Sequence, residues 1–190
     1  APLPEYAAAE ELETLRQALT GLDLEAARQR LYSARLHPAV RCAADVALSD
    51  LAAQQAGLPL ARWLAHDAAP QVRCNAALGT LDADAPQRAR AAIAAGFGVL
   101  KLKVGLQPVG QELALLRKLA AELPPGISLR LDANRAWNMN DAQRFISGMA
   151  GLPLEMLEEP LVQPGLAELA SLQALTEAPL ALDESLPGLG

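Results

Sequence analysis

Phe97-Gly98-Val99-Leu100-Lys101-Leu102-Lys103-Val104 reads as a β-strand with two lysines in it. Side chains alternate faces along a strand, so Lys101 and Lys103 share one face while Leu100, Leu102 and Val104 take the other. The sequence holds only three lysines, these two and Lys118, and its other positive charge is arginine. Two ammonium groups at that spacing repel each other, and burial penalises both. The face they share must therefore meet negative charge.

Working outward, short apolar runs of the same kind fall at 72–76, 98–103, 127–132, 154–158 and 180–183. Helical patterns separate them at 83–95, 109–122, 141–150 and 166–176. Each helical stretch ends near Gly or Pro: Gly96, then Pro124, Pro125 and Gly126, then Gly151, then Pro179. Strand and helix alternating at this interval predict βα units around a parallel sheet with both faces covered. Five such units suit a doubly wound sheet or part of a (β/α)8 barrel. No G-x-G-x-x-G follows the first strand, which weakens the nucleotide-binding version.

Before this repeat the chain reads as helical, giving segments of 1–70 and 71–190. Pro2 and Pro4 make 1–6 extended. Leu12, Leu15 and Leu19 place a helix over 8–19, ended by Gly21. Asp23 stands at an N-cap position for a helix over 24–31. Pro38 opens a long helix, with the break near His37, and 40–56 is so rich in Ala, Val and Leu that burial on most sides is expected. A further turn over 59–64 carries Trp63. His37 and His66 have no acidic or cysteine partner at ligand spacing and read as loop histidines.

Composition sets the outer bounds. With 52% apolar and 20% charged residues the chain is globular rather than disordered. A net charge of -6 with no basic patch argues against nucleic acid as a partner. Cys42 and Cys74 are too few for a disulfide framework or a zinc site, and each reads as a small buried hydrophobe. No apolar run is long enough to span a membrane and no signal peptide opens the sequence, so a cytoplasmic location is expected.

The strand ends carry the chemistry. The second run ends in Lys101 and Lys103, the third in Asp132 followed by Asn134, the fourth in Glu158 and Glu159, and the fifth in Asp183 and Glu184. In a barrel those ends share one mouth, where active sites are built. By alternation Glu158 shares a face with Met156 and Leu154 while Glu159 takes the other, and Asp183 shares a face with Ala181 while Glu184 does not, so one carboxylate per strand should reach the cavity unless the strand has already ended. Three converging carboxylates repel unless a cation joins them, and an oxygen-only set suits a hard ion, Mg²⁺ above all. A neighbouring cation and partial burial would lower a lysine's pKa and make it a base near neutrality. Metal plus lysine is equipment for removing a proton beside a carboxylate and holding the resulting enediolate.

Together, Lys101-Leu102-Lys103, Leu129-Arg130-Leu131-Asp132-Ala133-Asn134-Arg135-Ala136-Trp137, Leu157-Glu158-Glu159-Pro160 and Leu182-Asp183-Glu184-Ser185-Leu186 resemble the enolase superfamily. Within it the chain is similar to the muconate-lactonizing subgroup, and most of all to its o-succinylbenzoate synthases of menaquinone biosynthesis. Pro2-Leu3-Pro4 looks like that family's join between capping domain and barrel. The resemblance implies a (β/α)8 barrel, of which about five units are present here. It implies Asp132, Glu158 and Asp183 as ligands of Mg²⁺, with Mn²⁺ as an alternative. Lys103 would take the α-proton of a small-molecule carboxylate, with Lys101 supporting it electrostatically. Asn134, Glu159, Glu184 and Ser185 would orient the ligands.

The implied reaction is syn dehydration of 2-succinyl-6-hydroxy-2,4-cyclohexadiene-1-carboxylate to 2-succinylbenzoate. The family also has a capping domain, three further strands and a lysine on the sixth strand, none of which lies in these 190 residues; the expectation is a longer parent chain. Three rivals stand beside this reading. One is a dipeptide epimerase or N-succinylamino acid racemase of the same superfamily. Another is a Schiff-base aldolase, which would need one lysine and no metal triad. The last is a barrel fragment without catalysis of its own.

Overall fold

The structure is a computed structural model and describes residues 5–186. Two compact units meet in sequence between Val72 and Arg73.

Among the described residues the first unit has four helices: α1 (Glu5–Leu19), α2 (Leu24–Ser33), α3 (Pro38–Gln55) and α4 (Leu60–Leu64). Local signals set their bounds. The Asp23 carboxylate accepts the Ala26 N–H at 2.8 Å and caps α2. His37 caps α3, its Nδ1 accepting the Ala39 N–H at 3.3 Å, with Pro38 behind it. Arg28 lies over the Trp63 ring at 4.8 Å. Three expectations change here. Glu5 and Tyr6 are helical rather than extended, while Pro2-Leu3-Pro4 lies outside the described residues. The long helix α3 buries only Val40, Ser49, Ala52 and Ala53, and Cys42, Val46 and Leu51 are exposed. Its alanine-rich composition signals helix propensity, which does not report burial. Cys42 and Cys74 are both exposed free thiols, because one lies on that open face of α3 and the other in irregular chain ahead of the first strand.

The second unit alternates β1 (Ala76–Thr80), α5 (Ala85–Ala94), β2 (Val99–Lys103), α6 (Val109–Glu122), β3 (Ser128–Asp132), α7 (Met139–Gly148), β4 (Leu154–Glu158), α8 (Leu166–Gln173) and β5 (Leu180–Ala181). All pairings are parallel and the sheet order is β1-β2-β3-β4-β5. A doubly wound sheet reverses its strand order partway. This one never does, so the winding is that of a (β/α)8 barrel, present here as five consecutive strands.

Leu100, Leu102, Leu129, Leu131 and Leu157 are fully buried and pack in one core with Leu116, Leu119, Phe145, Ile146 and Leu172 of the helices. Each such side chain stabilises by about 1.5–3 kcal/mol relative to exposure. The opposite face is not covered as expected: Lys101 and Arg130 are half-buried, and Lys103 and Glu155 are exposed. That face is charged, and the helices all contribute to the leucine side. The first strand also shifts, from 72–76 to Ala76–Thr80, where it pairs Ala76 with Leu100 and Thr80 with Lys103.

Candidate active site

Register brings the predicted residues to one rim. Lys103 on β2 pairs with Asp132 on β3, Asp132 with Glu158 on β4, and Glu158 with Ala181 on β5. Lys101 reaches up from one pleat below. Its Nζ lies 2.6 Å from Glu158 Oε2 and 3.1 Å from Asp132 Oδ2. Asp132 is 7% exposed and Glu158 12%, so the pair sits where solvent screens little. The Lys101 pKa is shifted by opposing influences. Burial pulls it down, but hydrogen bonds to Glu158 and Asp132 and their charge carry it above the ordinary lysine value.

Lys103 meets a neutral partner instead. Its Nζ donates to Asn134 Oδ1 at 2.7 Å. Asn134 in turn donates from Nδ2 to Glu184 Oε1 at 3.1 Å, and from its backbone N–H to Asp132 Oδ1 at 3.0 Å. Asn134 and Arg135 both have left-handed φ, 43° and 62°, each costing about 1–2 kcal/mol. Lacing between loops holds them there. The Arg135 N–H donates to Glu159 O at 2.7 Å, Trp137 N–H to Pro160 O at 3.2 Å, and Val162 N–H to Trp137 O at 2.9 Å.

Glu159 turns away from the rim, as alternation requires, and is completely buried. Its Oε1 accepts the N–H groups of Asp183 and Ser185 at 2.7 and 2.8 Å, and its Oε2 accepts the Ser185 hydroxyl at 2.6 Å. It therefore fastens the segment that carries Asp183. One strand later the strand has already ended and alternation no longer applies. β5 ends at Ala181, so Asp183 and Glu184 lie beyond the pleat. Both are exposed, and it is Glu184 that reaches the Lys103–Asn134 pair.

Asp132 and Glu158 fit a hard cation in kind and placement, since both already close on one positive centre. Among the described residues no three His, Cys, Asp or Glu side chains form a metal-ligating group, and Asp183 lies exposed beyond the end of β5. No described helix is long and apolar enough to cross a membrane.

Two arrangements were not read from the sequence. Arg130, beside Lys101 in register, donates Nε and Nη2 to Glu155 at 3.2 and 3.1 Å and Nη1 to Asn75 at 3.3 Å. Glu112, in the first turn of α6, is completely buried and accepts the N–H groups of Gly105, Leu106 and Gln107. No sequence signal marked it, because its donors lie in the loop ahead of the Pro108 cap rather than in the helix itself.

A sequentially wound barrel whose strand ends gather lysines and carboxylates defines a class, enzymes that work at the C-terminal mouth of such a barrel. Residues 84–190 match the Enolase C-terminal domain-like family. An o-succinylbenzoate synthase from Desulfotalea psychrophila is 32% identical over 158 residues, covering 80% of this chain and 42% of that protein. The dipeptide epimerase of Enterococcus faecalis V583 superposes with a TM-score of 0.85 at 30% identity, over 96% of this chain and 54% of that one. Muconate lactonizing enzyme from Pseudomonas putida superposes with a TM-score of 0.82 at 25% identity, over 95% and 52%. The chain belongs to the enolase superfamily, in its muconate-lactonizing-like subgroup. It spans about half the length of the curated relatives it matches. Those relatives are enzymes, named as epimerases and as synthases alike.

Proposed function

We propose that this chain carries the first five βα units of an o-succinylbenzoate synthase-like lyase. Its reaction would be the syn dehydration of 2-succinyl-6-hydroxy-2,4-cyclohexadiene-1-carboxylate to 2-succinylbenzoate. The observation that supports this most is the register of Lys103, Asp132 and Glu158 across three adjacent strands, with Lys101 between the two carboxylates. The run from Asp132 to Trp137 favours the synthase over its relatives.

Asp132, Glu158 and Asp183 would hold Mg²⁺, which supplies positive charge against the negative charge that develops on a substrate carboxylate. A related structure, the Enterococcus faecalis epimerase, has been solved with Mg and the dipeptide L-Leu-L-Tyr. Lys103 Nζ takes the α-proton. The departing hydroxide then receives a proton from the same Nζ, on the same face, and leaves as water. Asn134 accepts a hydrogen bond from this amine and holds it over the rim. Lys101 adds positive charge beside the reacting carbon. Glu159 and Ser185 fix the backbone of Asp183. Cytoplasmic synthesis of menaquinone is the setting this activity implies.

The second reading, dipeptide epimerisation, is supported by the likeness to the Enterococcus faecalis enzyme. One experiment separates the two. The full chain is incubated with Mg²⁺ and either the cyclohexadiene acid or L-Ala-L-Glu in D₂O and followed by NMR. Formation of 2-succinylbenzoate without dipeptide exchange is expected. Deuterium entering the dipeptide α-position alone would transfer the assignment to the epimerase, and no turnover of either would overturn both.

A further inference from the structure

Glu112 is completely buried, and among the described residues no ammonium or guanidinium pairs with it. Backbone N–H groups take that place. Gly105 donates to Oε2 at 2.8 Å, and Leu106 and Gln107 donate to Oε1 at 2.9 and 3.2 Å. A glutamate in a helix's first turn would favour the helix from water as well. Burying it carries a desolvation cost, offset here by fixing three consecutive N–H groups of one loop.

That loop runs straight on from Lys103 through Val104, whose N–H donates to Asp132 O at 2.9 Å. Its far side rests on the turn after β3. A Cβ on Gly105 would collide with that of Ala136 and lie 3.3 Å from Ala133 O, so only glycine allows the approach; its φ is +83°. The turn it rests on carries Asn134, the acceptor for the Lys103 amine. One buried carboxylate thus fixes the seat of the loop that links the base to its hydrogen-bond partner.

The geometry points to Glu112 as a positioning residue: by latching the Gly105–Gln107 loop onto the Ala133–Trp137 turn, it sets the placement of the Lys103 amine against Asn134. This rests on the reading of Lys103 as the proton-abstracting group. Glu112→Gln tests it. The amide keeps one oxygen for Leu106 and Gln107 but turns its NH₂ on the Gly105 N–H, which has no means of accepting.

Two readings are taken on the full chain. The first is competitive acetylation of lysines by acetic anhydride, resolved by peptide mass. Lys118, exposed on α6, is the internal reference. Lys103 labelling relative to Lys118 is expected to rise severalfold in E112Q, with Lys101 unchanged. The second is turnover: kcat is expected to fall about 10- to 100-fold with KM held within about twofold, and Glu112→Asp to recover part of the loss. Unchanged Lys103 labelling with a lowered unfolding midpoint would overturn the proposal and leave Glu112 a purely structural residue. Shifted labelling in a chain that turns over neither substrate would keep the latch and discard the reaction assigned above. Should E112Q not fold, the same two readings on E112D decide.

Discussion

Glu158 and Glu159 are neighbours in sequence, yet they open onto two different regions of the unit. Glu158 faces the charged rim and is held by an ammonium, Lys101 Nζ at 2.6 Å. Glu159 faces the dry layer behind the strand ends and is held by backbone N–H groups and a hydroxyl. The first partner is a flexible side chain that an incoming cation can displace. The second is the fold itself, because the donors are fixed by the chain's own path. The difference separates exchangeable chemistry from permanent scaffold, one peptide bond apart. It teaches that a doublet of acids at a strand end need not be two ligands.

The sharpest test of the comparison is on the rim. Lys103→Ala is expected to cost about 10²–10⁴-fold in α-proton removal, the range for a positioned general base. Its unfolding midpoint should stay within about 0.5 kcal/mol, since the exposed amine has only a neutral partner. A destabilised K103A with unchanged turnover would make the rim structural. Behind the rim the order reverses. Glu159→Ala strands two backbone N–H groups and a hydroxyl, and should lower stability by about 3 kcal/mol in urea unfolding. Glu159→Gln should cost only about 1 kcal/mol. Its Oε1 can keep both N–H bonds while the Ser185 hydroxyl rotates to accept from the new NH₂. Glu112 has no such rotor opposite it, so the two latches should differ in their tolerance of glutamine.

These two regions were not equally legible. The rim announced itself because strand periodicity is 2 and charged residues ended four successive apolar runs, so Lys101, Lys103, Asp132 and Glu158 could be placed before any coordinates. Helix α6 was read over 109–122 and is Val109–Glu122, because Pro108 and Leu123-Pro124-Pro125 bracket a clean repeat of buried positions. The dry layer was silent. Glu112 sits among Leu113, Leu115 and Leu116 like any solvent-facing helical acid, and only the folded loop reveals its three donors. The left-handed φ of Glu159, 46°, likewise has no sequence signature. β1 was misplaced because Ala76-Ala77-Leu78-Gly79-Thr80 has weak strand propensity, and pairing with β2 decides its position. The buried estimate for α3 failed because alanine is at home in any helix, covered or not.

Mg²⁺ should separate the two carboxylates thermodynamically. If Asp132 and Glu158 take up the ion, adding it at 100 times its dissociation constant should raise unfolding stability by about 2.7 kcal/mol. Asp132→Asn should abolish that gain, whereas Glu159→Gln should retain it although the starting stability is lower. A gain that survives D132N would move the ion away from the rim.

The smallest effect belongs to the pair one pleat below. The Glu155 carboxyl lies below the usual carboxylate value, chiefly because Arg130 hydrogen-bonds it, with burial acting the other way. A folded-state pKa below the unfolded one adds stability that is present above the unfolded value near 4.5 and is lost as pH falls through the folded value. Glu155 is exposed, so screening keeps the contribution to about 0.5 kcal/mol. Glu155→Gln should therefore flatten the acid limb of stability against pH below about 4.5 by that amount and leave neutral-pH turnover nearly unchanged. A larger loss of turnover would bring Arg130, and through its register Lys101, into the chemistry at the rim.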